Sequence, residues 1–325
     1  MYKYLTPIEG KQLERILKNV VDNCNIEQFD VLIKKIKPLL YDTVLYEEQH
    51  KYFSISDSLN LAQQFIKDYD EQYYYEFLNT LSLNPLNNNA GIVFEFSDQS
   101  YANIDNDLIT VNFSNDVIDS LSMVHELFHQ FSCFNYNYQS SLVEYPSIMS
   151  EFLFVDYLKN SNILNDEILD TFKAMRLSNF YENIAYFYTI YQMIKLYEKN
   201  ETFNNTILNN YIKSLDENSL EFQVVEYFIE DSLDNILENR EYTVHELLLY
   251  IIGTLLSCYT HQQLINNEIT LDDVKLQINN ILRTDLNNIS KYNLPIIDSR
   301  GLNFNNIDNL CKSYKKELNS LSSKR

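Results

Sequence analysis

Apolar residues recur every three to four positions along most of the chain, the spacing that lines them up on one face of a helix. Over residues 8–23, 27–40 and 57–82 this pattern predicts an N-terminal set of helices, with Asp57 as the expected cap of the third. That third helix carries Tyr73, Tyr74, Tyr75 and Phe77, a group that reads as packing between helices rather than a binding platform. The Asn-rich residues 84–91, with Pro85, read as a loop. The period then shortens. IVFEF at 92–96 and LITVNF at 108–113 are β-branched and aromatic runs, predicted as two short strands with a turn between them around Asn103, Asp105 and Asn106. Helical spacing returns near 115–134, 141–159, 163–198, 202–213, 218–237, 243–262, 269–283 and 304–319. The expected architecture is mainly α, with a small β-sheet beside the helix that begins near residue 115.

Composition narrows the choice of chemistry. The four glycines, Gly10, Gly91, Gly253 and Gly301, are scattered, so no glycine cluster exists to let a backbone cradle phosphates. A net charge of −21, spread along the sequence, repels nucleic-acid backbones, and the chain is expected to bind no nucleic acid. The most apolar run, Leu247 to Tyr259, is too short to cross a bilayer and reads as a buried helix, so no membrane insertion is expected. The N-terminus lacks an apolar stretch followed by a cleavage site. Cys24, Cys133, Cys258 and Cys311 are widely spaced and read as free thiols of a reducing compartment. The expected location is the cytoplasm, and leaderless export is compatible with the same features.

The chemistry-bearing segment is His125-Glu126-Leu127-Phe128-His129. On a helix, two histidines four apart share a face and can reach one ion, and the adjacent Glu126 can take a proton from water at that ion. Such a zinc centre needs a third protein ligand and one open position. Glu144 and Glu151 lie seven apart on the next predicted helix and so share a face, and spacing alone does not choose between them. Pro146 fits that helix if it sits in the first turn. Glu151 followed by Asp156 is a rival arrangement. Cys133 continues the histidine row, but about 12 Å of helix separates it from His125, too far for one zinc.

Three segments in order resemble the thimet oligopeptidase and oligoendopeptidase F family of zinc metallopeptidases. LITVNFSNDVIDSLSMVHELFHQF is similar to the family's strand and His-Glu-x-x-His helix. VEYPSIMSE resembles its Val-Glu-x-Pro-Ser-x-x-x-Glu signature at Val143, Glu144, Pro146, Ser147 and Glu151. Tyr250-Ile-Ile-Gly253 looks like its Tyr-x-x-Gly helix. The resemblance implies a zincin-like fold, Glu144 as third ligand, Glu151 as the support of a ligating histidine, and Tyr250 as a hydrogen-bond donor to the tetrahedral intermediate. Phe128 stands where the family has glycine, and the gap from His129 to Glu144 is shorter than usual. Tyr242 and His245 lie near the family's remaining catalytic positions without falling in register. The large N-terminal helical half that roofs the family's channel has little counterpart here.

The expectation is therefore a single metallopeptidase-like domain over residues 1–325: N-terminal helices to 85, a small sheet over 86–113 and a helical catalytic part over 114–325. It would be a Zn²⁺-dependent peptidase acting on oligopeptides, with Glu126 as general base and Tyr250, Tyr242 and His245 as further candidates. Two other readings stand beside it: a protease for one protein substrate, and an inactive helical interaction protein that keeps a structural metal. The strand at 108–113 is expected to pair with an extended substrate.

Overall fold

A computed structural model describes residues 5–23, 26–42, 52–83, 90–96, 101–105, 107–131, 142–231, 242–282 and 306–322. It is mainly α. The N-terminal helices are α1 (Pro7–Asn23), α2 (Ile26–Ile36), α3 (Ile55–Tyr69) and α4 (Glu71–Ser82). The span predicted as one helix over 57–82 breaks at Asp70. That residue has extended backbone and its carboxylate accepts from Gln72 N and Tyr73 N, starting α4 afresh. The cap of α3 also moves. Ser54 is the N-cap and Asp57 is its partner three residues on, each side chain bonding the other's backbone N–H in a capping box. The helix predicted over 27–40 gives way to a 3₁₀ turn, Lys37–Asp42, at Pro38.

The sheet has three strands rather than two: β1 (Ala90–Phe96), β2 (Tyr101–Asp105) and β3 (Asp107–Phe113), in the order β1-β3-β2. β2 occupies the stretch read as a turn. β3 pairs with β1 in parallel, Ala90 opposite Asp107 through Phe96 opposite Phe113, and with β2 antiparallel, Tyr101 opposite Asn112. Both edges of β3 are thus taken, which overturns the expectation that it pairs with a substrate.

The remaining helices are α5 (Ile118–Gln130), α6 (Glu144–Asn160), α7 (Asp166–Asn200), α8 (Asn205–Ser214), α9 (Leu220–Asp231), α10 (Tyr242–Ile265), α11 (Leu271–Leu282) and α12 (Ile307–Ser322). α5 lies against β2, β3 and α3, α6 packs on α5, α7 and α10, and α10 in turn meets α7 and α12. The Leu247–Tyr259 run forms the buried middle of α10, and no helix among the described residues is long and apolar enough to cross a membrane. Cys258 and Cys311 are free and buried, while Cys24 and Cys133 lie outside the described residues.

Candidate metal centre

The turn from β3 into α5 is built by one carboxylate. Asp119, fully buried, accepts from Ser114 N and Oγ and from Asp116 N, while Asn115 turns through a left-handed φ of 60°. These bonds satisfy backbone donors at the helix start and fix the angle at which α5 leaves the sheet. Phe128 is fully buried and packs edge-on to Tyr69 at 5.3 Å, and Tyr73 stacks on Phe131 at 4.7 Å. The α3 and α4 aromatics, expected as packing, make the room that Phe128 fills. Tyr75 alone of the group points out to solvent.

His125 and His129 stand one turn apart on α5, and Glu144 opens α6 with Pro146 in its first turn. All three are buried. His125 Nε2 lies 2.9 Å from His129 Nε2, and Glu144 Oε2 lies 3.4 and 3.3 Å from the same two nitrogens. Among the described residues this is the one group of three or more such donors within 4.8 Å of one another. A tetrahedral zinc with bonds of about 2.0–2.1 Å sets its ligand atoms about 3.3–3.4 Å apart, so the triangle is close to the size that the ion needs. Glu144 Oε2 is buried without a well-directed hydrogen bond, an arrangement that a cation would relieve.

The other face of His125 fixes its tautomer. Nδ1 meets Glu151 Oε1 at 2.6 Å, which places the ring proton there and leaves the Nε2 lone pair toward the triangle. Glu151 is itself gripped by Arg176 of α7, whose Nε donates to Oε2 at 2.5 Å and whose Nη2 donates to Oε1. Asp156, the rival partner of Glu151, instead faces His261 Nε2 at 3.0 Å. Burial disfavours charge on His125, yet Glu144, Glu151 and Glu126 outweigh it and raise its pKa to about 10. Burial likewise works against the Glu144 and Glu151 carboxylates, but the imidazoles, and Arg176 for Glu151, hold both below the usual range. A proton on His125 Nε2 and a metal at the same nitrogen exclude one another, so metal and protons compete for the site.

Glu126 is buried beside His125 on α5. Tyr250 is partly buried on α10, close enough to act electrostatically on Arg176. Gly253, one turn on, is in close approach to α6: a Cβ there would lie 2.9 Å from Glu144 Cβ and 3.1 Å from Ile148 Cδ1. The glycine of the Tyr-x-x-Gly segment therefore lets α10 back the ligand helix directly at Glu144. Tyr242 and His245 lie in the first turn of α10, and their side chains are outside the described residues.

Arg176 was not among the residues singled out from the sequence. Its signal is a lone arginine within a helix of buried apolar positions, which needs a carboxylate partner.

Two solved structures are similar to this chain. One, titled "putative peptidase from Chlamydophila abortus", has 14% identity and a TM-score of 0.49, over 99% of this chain and 56% of the other. The second, titled "putative oligoendopeptidase F from Bacillus anthracis str. Ames", has 13% identity and a TM-score of 0.43, over 98% of this chain and 56% of the other. The chain spans little more than half the length of either. No family model matches the sequence, and no curated protein matches it. The chemistry of the site rests on its own side chains.

Proposed function

We propose that the chain is a zinc-dependent peptidase whose metal is held by His125, His129 and Glu144. The observation that carries this reading is the buried triangle of two imidazole nitrogens and one carboxylate oxygen, with Glu151 bonded to the back of His125. Zinc bound there would supply a Lewis acid that polarises a peptide carbonyl and acidifies water. Glu126 would take the proton from the attacking water and hand it to the leaving amine, as a general base and then acid. Tyr250 is the candidate to donate to the oxygen that gains charge, and Tyr242 and His245 stand on the same helix for substrate contacts. With β3 closed on both edges, β2 is the strand that both touches α5 and has an outer edge among the described residues. That edge is where an extended peptide would add by main-chain hydrogen bonds.

The test pairs metal content by mass spectrometry with hydrolysis of a quenched peptide library and of intact proteins. Wild type and Glu151→Ala should retain metal better than His129→Ala and Glu144→Ala, with about one zinc per chain in wild type. Glu126→Gln should keep zinc and lose about 10²- to 10⁴-fold in rate. Zinc without any cleavage, unchanged by Glu126→Gln, would leave a structural metal in an interaction protein. Cleavage of an intact protein but of no peptide would favour a protein-directed protease. No zinc in wild type would end the metal reading.

A further inference from the structure

Glu151 has no freedom left. Arg176 takes both of its oxygens, Nε on Oε2 and Nη2 on Oε1, and Oε1 is shared with His125 Nδ1. Glu151 is 2% exposed, and Arg176 is not one of the three donors of the triangle. A forked guanidinium fixes the plane of the carboxylate that it grips, which a single ammonium does not. The plane of the carboxylate, in turn, sets the direction in which the His125 ring points.

We infer that Arg176 is a positioning residue of the metal centre: its fork locks Glu151 in the orientation that turns His125 Nε2 toward His129 and Glu144. This rests on the zinc reading above. Without the guanidinium, Glu151 becomes a buried carboxylate with one neighbour, and it gains by turning away to find water or another partner. The ring of His125 then loses its second anchor.

The surroundings of Arg176 allow a direct test. A pocket open to solvent between α6 and α7 is lined by Glu151, Phe152, Phe172, Lys173, Arg176 and His261 among others, and none of the three triangle residues lines it. A small guanidinium ion can therefore reach the place of the missing side chain without passing the metal.

The experiment titrates zinc against a chromophoric chelator in wild type, Arg176→Met and Arg176→Lys, with and without guanidinium at concentrations too low to unfold the chain. The cobalt-loaded forms are followed by their visible spectra. Arg176→Met should weaken zinc binding about 10- to 100-fold and shift the cobalt bands. Guanidinium should restore part of both, and Arg176→Lys should recover less than the guanidinium ion does. A folded Arg176→Met with wild-type affinity and spectrum would overturn the assignment. So would a loss of zinc on which guanidinium has no effect. Should Arg176→Met fail to fold, Arg176→Lys decides: zinc weakened by about fivefold or more supports the role of the fork, and wild-type affinity overturns it. Failure of wild type itself to bind zinc would instead overturn the metal reading.

Discussion

Two buried histidines in this molecule are built from the same parts and differ in what faces one ring nitrogen. His125 has Glu151 on Nδ1, with Arg176 behind that carboxylate. His261 of α10 has Glu317 on Nδ1 at 2.8 Å, with Lys173 behind it. The two cations are three residues apart on α7, so one helix face serves both sites. The difference lies on Nε2. On His261 it meets Asp156 at 3.0 Å, so both ring nitrogens face carboxylates. Burial disfavours charge there, but Asp156 and Glu317 raise the pKa to about 9, and the ring is a cation in a closed ion pair. On His125 the same nitrogen faces a second imidazole at 2.9 Å and the Glu144 carboxylate at 3.4 Å. A second histidine one turn along the helix is what converts a structural ion pair into a place for a metal.

The comparison predicts a division of labour, and the largest effect should come from crossing it. His129→Ala should remove zinc from the protein while moving the thermal midpoint of the metal-free chain little. His261→Ala should do the reverse, leaving zinc stoichiometry intact and lowering that midpoint. Metal analysis and melting of the stripped proteins separate the two, and equal zinc loss in both variants would erase the distinction.

Next in size is Glu317, fully buried between His261, Gln262 and Lys173. Removing one partner of a buried ion cluster leaves uncompensated charge, so Glu317→Ala should cost about 3–5 kcal/mol in urea unfolding. Gly253→Ala should cost about 1–3 kcal/mol, because the new methyl meets Glu144 Cβ. It should also weaken zinc, since the displaced atom belongs to the backbone end of a ligand. Wild-type zinc affinity in a folded Gly253→Ala would show that α6 yields without moving its carboxylate.

The smallest effect is a pH dependence. The His261 pKa is raised from 6.5 to about 9, so its contribution to stability is complete below 6.5 and is lost as pH rises through about 9. The stability gap between wild type and His261→Gln should therefore narrow across that window. A gap that is flat from pH 6 to 10 would mean that the ring is not a cation.

Much of the site was legible because helical spacing is local. Two histidines four apart, a carboxylate at the start of the next helix and a proline in its first turn need only the geometry of one helix each. Spacing left Glu144 and Glu151 open, since both lie on one face of α6. What separates them geometrically is Arg176, twenty-five residues further along the chain, which occupies Glu151 and leaves Glu144 Oε2 beside the imidazoles. The same reach explains the other gaps. β2 is short and polar, and its strand state comes from pairing with β3, whose own place in the middle of the sheet depends on β1 arriving from the far side. The break at Asp70 and the cap at Ser54 were local, but aspartate and serine serve both as caps and as exposed helix residues, so only their bonds distinguish the two. Phe128, inside the His-Glu-Leu-Phe-His segment, is accommodated by aromatics on α3 and α4, contacts that become legible once those helices are placed.

The buried donor triangle has a consequence for how the molecule ages. An ion that binds only the closed triangle adds its binding free energy to that state, so an empty chain should open around the start of α6 more often than a filled one. Proteases that sample such openings would remove empty copies first, and the surviving population would grow richer in metal with time.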